Sequence, residues 1–166
     1  METKKSVWVG LGSLNRGFTI VEVTIVIVVI GILISIAVSS GVGYQASARD
    51  RERINDIDAI SQSLERYYRT QSAVTGASYP ASNATIASIA TIVGDNDLVT
   101  APRQTANSIV MVTAAGTQSP TINQYMYQAL NVNGTVCSSA PCVRYRMYYR
   151  LESNPDIQTK DSLRQQ

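Results

Sequence analysis

The stretch Gly17-Phe18-Thr19-Ile20-Val21-Glu22-Val23, continued by IVIVVIGILISIAV from Ile25 to Val38, sets the frame for the whole chain. Residues Val23 to Ala48 carry no charge. A helix needs about 20 mostly apolar residues to cross a bilayer core, and Phe18–Val38 meets that length. Glu22 interrupts the apolar run near its start. A carboxylate at the centre of a membrane helix costs roughly 2.5–3.5 kcal/mol on insertion scales, so it calls for a reason. A place at the headgroup boundary, where the cost falls, is one reading. A cationic partner is another.

Ahead of the run lies METKKSVWVGLGSLNRG, made basic by Lys4, Lys5 and Arg16. A secretory signal peptide places its small-residue cleavage site after the apolar region. Here Gly17 comes before it. Small residues also follow, in SSGVGYQASA, so cleavage near Ala46 or Ala48 stays open. Lys4, Lys5 and Arg16 before the helix are balanced by Arg49, Arg51 and Arg53 after it. The positive-inside rule therefore gives no orientation.

The 166 residues suffice for one domain plus a membrane segment. Lys+Arg 14 against Asp+Glu 12 leaves a formal charge of +2, so no global field points to nucleic acid or to an acidic substrate. The absence of histidine removes the commonest general base and metal ligand. Two cysteines do not complete a structural zinc site without it. No phosphate loop or catalytic constellation is present. The expectation is a chain that is not an enzyme, with no cofactor and no metal.

The register of Arg16-Gly17, Phe18 and Glu22 resembles the prepilin peptidase site of type IV pilins and pseudopilins. In that family a basic leader ends in Gly, Phe begins the mature chain, and a Glu one turn later heads a long apolar helix. Gly31-Ile32-Leu33-Ile34 also resembles the family's helix. The likeness covers roughly residues 16 to 53 and does not reach the head. It implies cleavage between Gly17 and Phe18, N-methylation of Phe18, and pairing of Glu22 with the N-terminus of a neighbouring subunit during assembly. Two charges that are each costly in hydrocarbon lower one another's cost by meeting there. It further implies a membrane and filament core of Ile20, Val21, Val23, Ile25, Ile27, Ile30, Gly31, Leu33 and Ile36. Many major pilins have a helix-kinking proline where this chain has Ser39, followed by Ser40, Gly41 and Gly43.

From Tyr44 the pattern becomes amphipathic. Ile54, Ile57, Ser61, Leu64 and Tyr68 share one helix face, and Asp50–Arg53 reads as a solvated collar. The helix is expected to end between Gln71 and Gly76. A short helix is expected within Asn83–Val93, capped by Ser82 or Asn83. Strands are expected at Ile109–Thr113, Ile122–Val132 and Cys142–Leu151, the last alternating most clearly. Together these predict an α+β fold, pilin-like in outline. A long N-terminal helix, half membrane-spanning and half amphipathic, packs its stripe on a three-stranded antiparallel sheet. The expected divisions are a leader at 1–17, an apolar helix at 18–43, a head at 44–151 and a polar, mobile tail at 152–166.

Cys137 and Cys142 read as a disulfide if the head lies outside the cytoplasm. That pair and the family resemblance place the leader inside and the head outside. Arg144, Arg146 and Arg150 form a stripe that reads as the solvent face of an edge strand, or as a contact for DNA phosphates or another partner. Asn83 and Asn133 lie in glycosylation sequons.

The leading expectation is a structural subunit of a type IV pilus or related filament, with a minor pilin or pilus subunit placed first. A pseudopilin of a secretion system and a DNA-uptake competence pilin are the near alternatives. A membrane-anchored binding protein that never assembles is the alternative of another class. The implied partners are other pilin subunits, prepilin peptidase, the inner-membrane assembly machinery and membrane lipid before assembly.

Overall fold

A computed structural model describes residues 17–72 and 76–164. The basic leader and its Lys4, Lys5 and Arg16 lie outside the described residues. The elements are α1 (Ile20–Ser72), α2 (Ile86–Val93), β1 (Ile109–Met111), β2 (Tyr125–Leu130), β3 (Arg144–Arg150) and β4 (Ile157–Asp161). The chain divides into two compact units, one ending at Gly41 and the other starting at Val42, and α1 contributes residues to both.

In the first unit α1 carries its uncharged run, and every described side chain from Gly17 to Val38 is exposed. This helix is long and apolar enough to cross a membrane. An apolar surface of this extent on one helix needs a covering phase, lipid or protein.

The second unit is α+β. Ile57, Ile60, Leu64 and Tyr68 of α1 join Tyr125, Tyr127 and Ala129 of β2 and Tyr145 and Met147 of β3 in one core. Alternation along β2 and β3 sends these residues to the helix side of the sheet. The tyrosine hydroxyls that enter this core find acceptors, as buried polar tips must. Tyr145 bonds Ser61 Oγ at 2.6 Å, and Tyr127 donates to the Pro80 carbonyl at 2.8 Å.

Several expectations change. Ile57, Ser61, Leu64 and Tyr68 of the expected helix stripe are buried and Ile60 joins them, whereas Ile54 is exposed at 37%. Beside it Arg53 is buried instead, 1% exposed and neutralised by Asp50 and Glu152. Asp50 and Arg53 are therefore not part of a solvated collar.

The sheet has four strands, in the order β1-β2-β3-β4, and is mixed. β1 runs parallel to β2, with Ile109 opposite Tyr125. The connection at 112–124 is about a dozen residues, the length a parallel crossover needs and a hairpin does not. The segment read as a mobile tail supplies β4, antiparallel to β3 with Asp161 opposite Arg146. Its polar sequence concealed a strand, because an edge strand with one partner and a wet outer face needs few apolar residues.

The short helix α2 begins after Thr85 and ends at Gly94, whose φ of 75° and N–H bond to the Ala90 carbonyl form a left-handed stop. The expected cap Ser82 is buried in the core instead. Its hydroxyl donates to the Ala129 carbonyl and accepts the Ala129 N–H at 2.8 Å, pinning the loop to β2.

Candidate processing and assembly site

The first turn of α1 is built by Thr19. Its Oγ1 accepts the Glu22 N–H at 3.2 Å and its carbonyl accepts the Val23 N–H at 3.3 Å. Thr19 is thus the N-cap, and Glu22 occupies the third helical position, as in a capping box. Phe18 precedes the cap and shares a shallow groove with Val23 and Ile27, the placement of a hydrophobic staple. Sequence reading passed over Thr19, although the Thr-x-x-Glu spacing at the head of an apolar run signals it.

Gly17 and Phe18 are exposed ahead of the helix, where a protease can reach the bond between them. The Glu22 carboxylate sits in the first turn, beside unsatisfied backbone N–H groups and the positive end of the helix dipole. That placement lowers the cost of an acid in apolar surroundings. It also brings the carboxylate within one turn of the amino group that a cut before Phe18 would create. Ile20, Val21, Val23, Ile25, Ile27, Ile30, Leu33 and Ile36 are all exposed on this helix, and Gly31 stands among them with open space where a Cβ would go.

In the head, Cys137 and Cys142 form a disulfide with Cα atoms 5.7 Å apart. It closes the loop that enters β3. The loop is also tied to the segment after α1, because Tyr79 N–H donates to the Cys142 carbonyl and Ser82 N–H to the Cys137 carbonyl, both at 2.8 Å.

The arginine stripe is not an edge. β3 lies between β2 and β4, and Asp161 of β4 holds Arg146 by two hydrogen bonds. That carboxylate raises the Arg146 pKa further above its ordinary value. Arg150 reaches Ser119 Oγ at 3.3 Å. The crossover after β1 covers this face, where Gln128 donates to the Ala114 carbonyl and accepts from Tyr148. Of the stripe, Arg146 is thus paired with a carboxylate within the sheet and Arg150 bonds a loop hydroxyl. Asn83 is exposed just before α2, and Asn133 is exposed in the β2–β3 turn closed by Asn131 and Thr135.

A polar clamp that sequence reading missed ties β3 to α1. Asp50 accepts the backbone N–H groups of Glu152 and Ser153 at 2.7 and 2.9 Å, and the Ser153 hydroxyl at 2.6 Å. Glu152 in turn accepts from Arg49 and Arg53. Burial pushes the Asp50 carboxyl up, but the Ser153 and backbone hydrogen bonds and the Arg53 charge outweigh it and hold it below the usual carboxylate range. Hydrogen bonds from Arg49 bring Glu152 down to about 2. Among the described residues no group of three or more His, Cys, Asp or Glu is placed to hold a metal ion.

Comparison with known proteins agrees with the N-terminal geometry and is confined to it. No curated protein and no solved structure matches the chain significantly. The motif points to a structural subunit that is processed as a prepilin and assembles with other pilin subunits. Residues 12–38 match the family model of the prokaryotic N-terminal methylation motif, the signature carried by type IV prepilins and pseudopilins.

Proposed function

We propose that this chain is a structural subunit of a type IV pilus or related filament, cleaved between Gly17 and Phe18, N-methylated at Phe18 and then drawn from the membrane into the filament. One observation carries the reading. The exposed apolar part of α1, from Ile20 to Val38, bears a single charged side chain, Glu22, in the first turn after the Gly17-Phe18 junction. Pairing with a neighbour's N-terminal ammonium removes the cost of both charges in an apolar filament core. The disulfide fits a head that resides outside the cytoplasm. Ser39, in place of the proline of many major pilins, favours a minor pilin or pseudopilin within the class.

Mass spectrometry of the mature protein tests this. The expected N-terminus is methylated Phe18. Glu22→Val is expected to be cleaved and membrane-inserted but lost from filaments. A mature chain that keeps residues 1–17, or one that begins near Ser47 or Arg49, would overturn the proposal.

A further inference from the structure

The head carries two charged edges of opposite sign that its own ion pairs leave unsatisfied. The first lies where the end of α1 meets β4. A cleft of about 350 Å³ there is lined by Arg66, Arg69 and Lys160 together with Asp58 and Glu65. Both carboxylates are already engaged. Asp58 pairs with Lys160 at 2.8 Å, and Glu65 accepts the Tyr79 hydroxyl and the Leu163 N–H at 2.9 and 3.0 Å. Arg66 and Arg69 are exposed and make no ion pair among the described residues. Arg164 adds a further cation nearby, 4.4 Å from the centre of the Tyr68 ring.

The second edge lies toward β1 and β2. Asp56 of α1 accepts the Tyr125 hydroxyl of β2 at 2.7 Å. Burial raises the Asp56 pKa to about 6, and the nearby Glu52 and Asp95 push in the same direction. Glu52, Asp95 and Asp97 are exposed and make no ion pair among the described residues. Asp56 reaches Tyr125 of β2 and Asp58 reaches Lys160 of β4, so the acidic cluster lies toward the β1 end of the strand order and the basic one toward the β4 end. Along α1, Glu52 and Arg66 are about 20 Å apart at 1.5 Å per residue.

We propose that the Arg66/Arg69 edge of one head docks against the Glu52/Asp95 edge of a second copy of this chain. The contact rests on the filament reading above and extends it to the heads. A patch that meets a different patch on an identical neighbour is a heterologous contact. Repetition of such a contact builds an open helical array rather than a closed dimer. Complementary charge fixes the register and the partner more than it drives association, which suits heads carried on apolar helices. The offset between the edges predicts contacting heads displaced by about 20 Å along the helix direction.

Full-length variants expressed with the assembly machinery test the contact. R66E/R69E is expected to reduce filament incorporation by about tenfold or more through like-charge repulsion. Adding E52R/D95R to the same chain is expected to restore it, which a folding defect would not allow. Incorporation of R66E/R69E at wild-type level would overturn the contact and leave the filament role standing. So would failure of the fourfold variant to recover. Normal incorporation with lost retention on duplex DNA would reassign the basic edge to nucleic acid. If wild-type protein with a methylated Phe18 never enters filaments, the filament reading and the contact fall together.

Discussion

Asp50 and Ser153 meet across the head: one carboxylate oxygen of Asp50 takes both the N–H and the hydroxyl of Ser153, at 2.9 and 2.6 Å. The other oxygen takes the Glu152 N–H and a guanidinium N–H of Arg53. This buried acid therefore anchors the chain just after β3 to the helix beneath it. It satisfies backbone donors that no strand partner reaches.

Asp50→Ala is expected to destabilise the head by about 3–5 kcal/mol, because it leaves two buried backbone donors unpaired and takes one of the two carboxylates from the buried Arg53, which keeps Glu152. Asp50→Asn, which keeps an acceptor, should cost less. Thermal unfolding of the detergent-solubilised chain, followed by circular dichroism, measures both. Wild-type stability in Asp50→Ala would refute the anchoring role.

Two acids, Glu152 in the clamp and Asp56 against Tyr125, give stability opposite dependences on pH. Glu152 falls from 4.5 to about 2 in the folded state, so its contribution is complete above pH 4.5 and disappears as pH falls toward 2. Asp56 rises from 3.8 to about 6, so it costs nothing below 3.8 and weakens the fold as pH rises through 6. Asp56→Asn is expected to flatten the stability profile between these values and to add about 1–2 kcal/mol at neutral pH. Denaturant titrations across the pH range check the sign. A variant that parallels wild type throughout would refute it.

Replacing both Cys137 and Cys142 by Ser is expected to cost roughly 2 kcal/mol, the chain-entropy value for so short a loop. The same loss should follow reduction of the wild-type protein. Thiol labelling before and after reduction establishes whether the pair is oxidised in protein recovered from its native membrane. Free thiols there would contradict a head outside the cytoplasm.

Thr19→Val is expected to cost about 1 kcal/mol at the start of α1, since the Glu22 N–H loses its acceptor. Thr19→Ser should keep the cap. Hydrogen exchange at the Glu22 amide in micelles reads this directly: faster exchange in the valine variant alone supports the cap, and equal protection in all three dismisses it.

The sequence alone determined the local and periodic features. The apolar run, the Gly17-Phe18 junction and Glu22 were legible because the parts of the N-terminal methylation motif are contiguous in the chain. Tyr125, Tyr127 and Ala129, and likewise Tyr145 and Met147, were legible as one inward face because a strand alternates. The disulfide was legible because only two cysteines exist. Tertiary structure alone decided the rest. Arg53 goes inside because Asp50 and Glu152 converge on it, and Glu152 comes from a segment with no apolar pattern. Residues 157–161 become a strand because β3 offers an open edge and Arg146 offers Asp161 a partner. The Arg53 pairing joins residues about a hundred positions apart and the β4 pairing joins neighbouring strands, and in both a polar side chain is stable off the solvent only because its complement arrives from another element of the fold.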